Sequence, residues 1–576
     1  MSEQLSKVEA DRKLLRDAQQ QGPGALLSAF VRLSGPGWLQ SAITLGGGSL
    51  AGALFLGVLG GTSLLWLQLM AIVMGVIMLS AISYVTLSTG EKPFQAINTH
   101  INPVLGWGWL IATCMANMIW CMPQFGLCYD ALRKNLVGSQ AIGDSDSAKF
   151  AVSGMVLVAA AIVVLLNGRQ GFAAKVFDWF LKALVGMVVI CFFGVVVYLS
   201  IDGALDWGAI LAGFVPDLQQ WSQPTGDVAG LVATLPPSLQ EFWSGKIVTE
   251  QRAVMIGAAA TAVGINMTFL LPYSMLNRGW DKPFRGLARF DLSTGMAIPY
   301  VLVTSCVVIA SASSFHAKVD DSFRSTELAE MQKSPMFEKG RKLLEARLLH
   351  ESADFAALDE ASQLERIAAL PVAEKQIASS LIKRDAFQLS ESLAPLLGQN
   401  LANLVFGLGV FGMGFSSIII LMLINGYAFC EMLGKPQGGA AHVVGCLIAG
   451  LAGAIWPLVW SGDTQFWLAI LASSFGMMLL PIAYFTFFMM MNSSTLMGKE
   501  KPTGVRMLAW NLLMGVSVLG AVAAAGSAIW EKVTPIFNEH AKQNEWLGGL
   551  VVSGVAIVYI MLVVVGFIAK SKRSVA

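Results

Sequence analysis

Apolar residues along the chain gather into runs of about 20, the length that crosses a bilayer as a helix, with polar stretches between them. The runs predict spans at 37–60, 64–88, 104–132, 149–168, 176–200, 252–275, 290–313, 398–430, 442–460, 465–491, 506–529 and 546–569. One polar stretch is far longer than the rest. Residues 314–397 carry eleven basic and fourteen acidic side chains, a near balance that favours a solvated cap over a catalytic domain. Inside it, "SADFAALDEASQLERIAAL" places Phe355, Leu358, Leu364 and Ile367 roughly on one helical face, which predicts amphipathic helices packed on each other or on the membrane domain. The chain thus divides into a tail at 1–34, a membrane domain with spans 1–7 at 35–313, a polar helical insert at 314–397 and spans 8–12 at 398–576.

Two runs contain residues that resist a continuous helix. "LGGGSLAGALFLG", residues 45–57, sets Gly46, Gly47 and Gly48 beside Ser49 in the first span. Close helix packing explains Gly52, Gly57, Gly60 and Gly61, but packing needs one small face and three consecutive glycines cover every face. An unwound turn is the better reading. Five spans later, "VGINMTFLLPYSMLNRG" carries Gly264, Asn266, Thr268 and Pro272 within another apolar run. Paired breaks five spans apart predict an inverted repeat, unwound at Leu45–Ser49 and Gly264–Thr268, with the freed backbone facing a polar cavity near the bilayer midplane.

Composition agrees with a membrane protein, since 55% of residues are hydrophobic and only 13% charged. A net charge of +1 points to neither nucleic acid nor an acidic partner. All seven cysteines lie in or beside apolar runs, so no disulfides are expected. The polar N-terminus has no signal-peptide core and reads as a cytoplasmic tail. Basic residues cluster before span 1 (Lys7, Arg12, Lys13, Arg16, Arg32), after span 6 (Arg278, Lys282, Arg285, Arg289) and after span 10 (Lys499, Lys501, Arg506). The positive-inside rule then places both termini in the cytoplasm and the insert outside, in a multi-pass protein of the plasma (inner) membrane. Cys114, Cys121 and Cys128 form a stripe with Met115, Met118 and Met122, which suits a soft-metal relay but suits ordinary packing better. Asp178 and Lys182 are spaced as a local helix pair. No histidine has ligand spacing, and no catalytic site or cofactor is expected.

The motifs resemble the natural resistance-associated macrophage protein (Nramp) family of proton-coupled divalent metal transporters. "GPGWLQSAITLGGGSLAGALFLGVLGGTSLLW" is similar to that family's first span, which begins Gly-Pro, reaches Asp-Pro-Gly-Asn and ends Leu-Leu-Trp with the same spacing. The similarity continues through "STGEKP", "DWGAILAGFVP", "LAPLLGQNLANLVFGLGVFGMGFSSIII" and "LLPIAYFTFFMMMNSSTLMG", in the family's order. It implies an all-α, five-plus-five inverted-repeat fold of the leucine-transporter type (APC superfamily), with about 12 transmembrane helices and spans 1 and 6 unwound.

The functional residues depart from that pattern. The resemblance puts Gly46 at the family's metal-binding aspartate, Gly48 at its glycine and Ser49 at its metal-binding asparagine. Met267 matches the soft-metal methionine and Gly264 the alanine whose carbonyl coordinates, while Thr268 and Phe269 replace a Pro-His pair. Cys114, Cys121 and Gln124 fall at the acidic positions of the proton pathway, Leu479 falls at a site glutamine, and Glu431 matches a family glutamate. A substrate pocket of Gly46, Gly47, Gly48, Ser49, Gly264, Asn266, Met267 and Thr268 contains no anionic ligand, and the half-helix after Gly48 presents an unneutralised N-terminus. The expectation is a secondary transporter for a small anion or zwitterion rather than Mn or Fe, without the family's usual proton coupling. Two alternatives stay open: a divalent-cation transporter (Mg-like or Mn), for which Met267 and Ser49 would be the metal ligands, and a non-transporting receptor or sensor with the same fold.

Overall fold

The computed structural model describes residues 2–167, 172–459, 468–534 and 543–575, and its described segments are helices joined by turns and loops. Among the described residues, nine helices are long and apolar enough to cross a membrane, and Pro36–Thr44 with Gly47–Gly60 form a tenth span bent by 55°. The two remaining spans fail a test of length and hydropathy for physical reasons. Span 6 is split into Pro237–Thr261 and Ile265–Asn277, and its first piece starts with a polar stretch that projects toward the insert. Span 9, Ala440–Ala454, is short. The expected ends of spans 4, 9 and 10 at 168, 460 and 465 fall outside the described residues.

Burial follows position in the bundle. Span 8, Gln399–Met432, runs through its centre, and Ile418 through Ile424 are all buried. Span 12, Gln543–Val575, lies at the edge with Val551, Val555, Met561 and Val565 exposed, as lipid contact requires.

Four features differ from the sequence reading. The tail is two helices, Ser2–Gln21 and Pro23–Leu33; Leu15, Ala18 and Ala29 join the main core, and Arg12 pairs with Asp281 at 2.7 Å. The insert ends earlier than 397. Helix Ala386–Leu397 opens with a capping box at Asp385, and its Ala386, Leu389 and Leu393 pack into the membrane core. Residues up to about Leu381 form their own core instead, in which Phe355 and Ile367 are buried, with Leu358 and Leu364 packed against them, over Phe55 and Leu59 of span 1 and Trp243 of span 6. Asp178 does not pair with Lys182: it receives two 3.0 Å hydrogen bonds from Arg278, while Lys182 donates to the Ser34 carbonyl at 3.3 Å. Helix spacing allowed the local pair, but the Arg278 guanidinium, whose Nη2 reaches both carboxylate oxygens, takes Asp178 instead.

The fourth difference lies in the breaks. Both are shorter than expected, and the one in span 6 begins two residues earlier and shares only Gly264 with the expected segment. Span 1 is unwound only at Leu45 and Gly46, and helix resumes at Gly47; span 6 is unwound at 262–264 and resumes at Ile265. Gly47, Gly48, Ser49, Asn266, Met267 and Thr268 are therefore helical. The reason is capping: an amide oxygen meets the first turn of each second half, so helix can restart at once.

Candidate functional site

The first turn of Gly47–Gly60 is met from span 3, where Gln124 Oε1 accepts the Gly47 N–H at 3.0 Å. The first turn of Ile265–Asn277 is met from within, where Asn266 Oδ1 accepts the Met267 N–H at 2.9 Å. Gly264 must be glycine because the Trp120 ring fills the space that a Cβ would need. The same indole donates to the Ala472 carbonyl at 2.5 Å, which ties span 3 to span 10. A small cavity of about 50 Å³, room for a few water molecules, opens between the breaks. Its walls come from spans 1, 3, 6, 8 and 10, and none of its lining residues is ionisable.

Five of the eight sequence-predicted site residues line this cavity: Gly46, Gly48, Ser49, Gly264 and Met267. Gly47, Asn266 and Thr268 do not. Gly47 is buried behind its bond to Gln124, with Leu127 where its Cβ would be. Asn266 is turned to its own backbone. Thr268 is held between the Ile265 carbonyl, at 2.5 Å, and the indole N–H of Trp109, at 2.9 Å. Helix resuming so early rotates these three away from the cavity. The sequence reading missed Thr44, Trp120, Ser417 and Ser473 as wall residues, and took Gln124 only as the counterpart of a family acid. A signal for Ser417 existed, since Ser416 and Ser417 interrupt the apolar run "FGMGFSSIII".

The polar groups around the break are unequally engaged. At the end of Pro36–Thr44 three carbonyls accept hydrogen bonds: Ser41 from Leu45 N–H at 3.0 Å, Ala42 from Ser416 Oγ at 2.9 Å and Ser417 Oγ at 3.2 Å, and Thr44 from Ser49 Oγ at 2.5 Å; the Ile43 carbonyl meets no donor among the described residues, because Gly47 N–H turns to Gln124. Thr44 Oγ1 donates to the Gln40 carbonyl at 2.8 Å and lies 3.5 Å from the Met267 sulfur. Donors on the other side are free. Among the described residues, no acceptor meets the N–H groups of Gly48 and Ser49 or the amide NH₂ of Gln124. Such a cavity can hold a solute that brings acceptors, and offers a bare cation hydroxyl and amide oxygens but no carboxylate.

The other sequence candidates sit elsewhere. Cys121 packs where Gly453 lacks a side chain and Cys128 where Gly414 does, so both belong to contacts of span 3 with spans 9 and 8. Among the described residues, no three His, Cys, Asp or Glu side chains are grouped as metal ligands would be. Glu431 is buried and paired with Lys92 at 2.5 Å, away from the cavity.

The family profile described as "Natural resistance-associated macrophage protein-like" matches residues 37–344 and 366–525. No curated protein sequence matches the chain. Among solved structures, the manganese transporter of Eremococcus coleocola in complex with an aromatic bis-isothiourea substituted compound is similar, at a TM-score of 0.63 and 14% identity, covering 95% of this chain and 96% of that one. A mutant of the same transporter is similar at a TM-score of 0.63 and 14% identity, covering 94% and 95%. These likenesses show the same five-plus-five helical fold.

Proposed function

The chain belongs to the natural resistance-associated macrophage protein-like family, and from that membership we propose that it is a secondary transporter whose solute is a small anion or a zwitterion bound through its carboxylate. It is an integral multi-pass membrane transporter and not an enzyme. The solute reading rests on one observation: among the described residues, the N–H groups of Gly48 and Ser49 and the Gln124 amide NH₂ meet no acceptor, while the Ser41, Ala42 and Thr44 carbonyls beside them are engaged. A divalent ion must shed water against oxygen ligands, usually including a carboxylate, and Gly46 supplies none. Gly46, Gly48, Ser49, Gly264 and Met267 are the proposed binding residues, with Gln124, Ser417 and Ser473 added. Both termini are placed in the cytoplasm and the insert outside, from the distribution of Lys and Arg.

Uptake into proteoliposomes tests this with a panel of chloride, sulfate, acetate and glycine against Mn and Mg. Saturable uptake of one of the first four, without Mn uptake, is the expected result. Mn uptake alone would overturn it, and no uptake of any solute would favour a sensor. Cysteine and amide at Cys114, Cys121 and Gln124 offer no group that exchanges protons near neutral pH inside the membrane, so uptake is expected without lumenal acidification.

A second reading keeps a metal as the solute. It is favoured by the Met267 thioether in the cavity wall and by the similar structures, which are of manganese transporters. The same panel separates the two.

A further inference from the structure

We infer that Gln124 sets the charge sign of the solute, acting as a specificity-determining residue whose amide NH₂ selects a solute that presents an oxygen or halide acceptor. The inference rests on the anion or zwitterion reading above and names the residue that enforces it.

A glutamine amide has one end that accepts and one that donates, and an ordinary map of its surroundings decides which faces which way. Here the decision comes from the backbone. Gly47 N–H can only donate, so the atom facing it at 3.0 Å is the amide oxygen. The NH₂ must then point elsewhere. Gln124 is itself a wall residue of the cavity and only 6% exposed, and among the described residues nothing accepts from its nitrogen. The nitrogen is accessible from the cavity, so a bound solute that brings an acceptor can take the place of water on it.

The second break repeats the arrangement. Asn266 is fully buried, its oxygen is held by Met267 N–H, and its nitrogen has no partner. It does not line the cavity, so this second unpaired NH₂ repeats the way the helix restarts and is not a second contact to the solute. Each broken span therefore restarts under an amide oxygen and leaves an amide NH₂ unpaired. A cation in the cavity would meet the Gln124 donor, whereas a carboxylate or halide would meet a partner there. The carboxylate that could reverse this preference is absent from position 46. The Gly46 hydrogens face Ser417 Oγ, 2.8 Å from where a Cβ would lie, and Gln124 Oε1, 3.6 Å from it.

Gln124→Glu tests the inference with little structural disturbance, because one carboxylate oxygen still accepts from Gly47 while the donor becomes a second, charged acceptor. Gln124→Met removes the donor without adding charge, and guards against a Glu variant that fails to give a monodisperse, helical protein. Binding of acetate, glycine, chloride and Mn is measured by titration calorimetry on purified full-length protein, together with uptake in proteoliposomes. The expected result is a loss of anion or glycine affinity of about tenfold or more in both variants, with Mn affinity rising only in Gln124→Glu. Anion or glycine binding by the native protein that either folded variant keeps within about twofold would overturn the role of Gln124 and leave the transport reading intact. Native binding of Mn with none of the other probes would overturn both.

Discussion

Asp291 of span 7 holds the beginning of span 1: its Oδ2 accepts the Gly37 N–H at 2.6 Å, and its Oδ1 accepts the Gly35 N–H at 3.1 Å. The Ser34 hydroxyl donates to the same carboxylate. Gly37 has to be glycine because the Asp291 backbone carbonyl occupies the place of a Cβ. The carboxylate thus caps the first half of span 1 and neutralises its N-terminal dipole from a helix more than 250 residues away in sequence.

Replacing Asp291 removes several hydrogen bonds to a buried charge, each of which contributes about 1.5–3 kcal/mol. Asp291→Ala is expected to lower stability by about 2–3 kcal/mol, and Asp291→Asn by less, because one amide oxygen can still accept. Thermal unfolding in detergent, read by circular dichroism, gives the comparison. An Asp291→Ala protein as stable as the native one would show that the junction of spans 1 and 7 does not depend on this cap.

In the insert, Glu374 is fully buried and is held by Arg347, at 2.5 and 3.0 Å, and by the Trp243 indole at 3.0 Å. Trp243 belongs to span 6, so this node joins the insert to the broken span. Removing Glu374 leaves the buried Arg347 with only the exposed Glu351 as its partner, at a cost of up to about 3–5 kcal/mol. Glu374→Ala is expected to make the insert sensitive to limited proteolysis between residues 316 and 385. The double variant Glu374→Leu/Arg347→Met should recover much of the resistance, since it removes both charges. Equal sensitivity of the single and double variants would show that the unpaired charge is not the cause.

His316 follows span 7 and joins three segments. Its Nδ1 lies 3.1 Å from the Val58 carbonyl of span 1, and its Nε2 accepts the Asp227 N–H at 3.0 Å. The ring fills the space beside Gly61 and Gly226, whose φ values of 61° and 68° are left-handed. This arrangement needs a neutral imidazole with its proton on Nδ1. Burial lowers the pKa of His316 below its usual 6.5, against smaller raising effects of the Val58 carbonyl and Asp227. Above pH 6.5 both folded and unfolded forms are neutral, and the junction has its full stability. As the pH falls below 6.5 the unfolded form takes up the proton first, so stability is lost until the lower, folded pKa is passed. Hydrogen exchange at the Asp227 amide should accelerate between about pH 7 and 5, after correction for intrinsic rates, and His316→Gln should abolish that dependence. An unchanged protection factor across this range would refute the expectation.

Restoring a carboxylate at position 46 tests the solute site itself. The backbone poses no obstacle, since Gly46 has φ −103° and ψ −177°, an extended conformation open to any residue. The obstacles are Ser417 Oγ, 2.8 Å from an added Cβ, and the Ile43 carbonyl, 3.1 Å from it; Gly46→Asp is expected to need Ser417→Ala beside it, with a small shift of the Ile43 carbonyl. In the double variant, Mn affinity should rise and anion or glycine affinity should fall, each by about tenfold or more, because a hard ligand then faces Met267 and cancels the dipole of the half-helix. Titration calorimetry on native, Ser417→Ala and double-variant protein measures both. Mn affinity that is high in the native protein and unaffected by the pair would place any metal site away from the breaks.

The positions of the spans, the long insert and the two breaks were legible in the chain alone, because each depends on local composition: an apolar run long enough for a bilayer, balanced charge in a solvated segment, and glycines where helix is weakest. What the sequence by itself could not determine is where each break stops and which side chains face it. Gly47 is helical and Thr268 is turned away because Gln124 and Trp109, on a span remote in sequence, supply their hydrogen-bond partners. Ser417 reaches the carbonyl of Ala42 across 375 positions, and Asp291 reaches Gly37 across 254. No periodicity encodes such pairings. They depend on how closely helices approach once packed, and the tertiary structure decided them by satisfying, group by group, the backbone donors and acceptors that a broken helix leaves in a membrane without water.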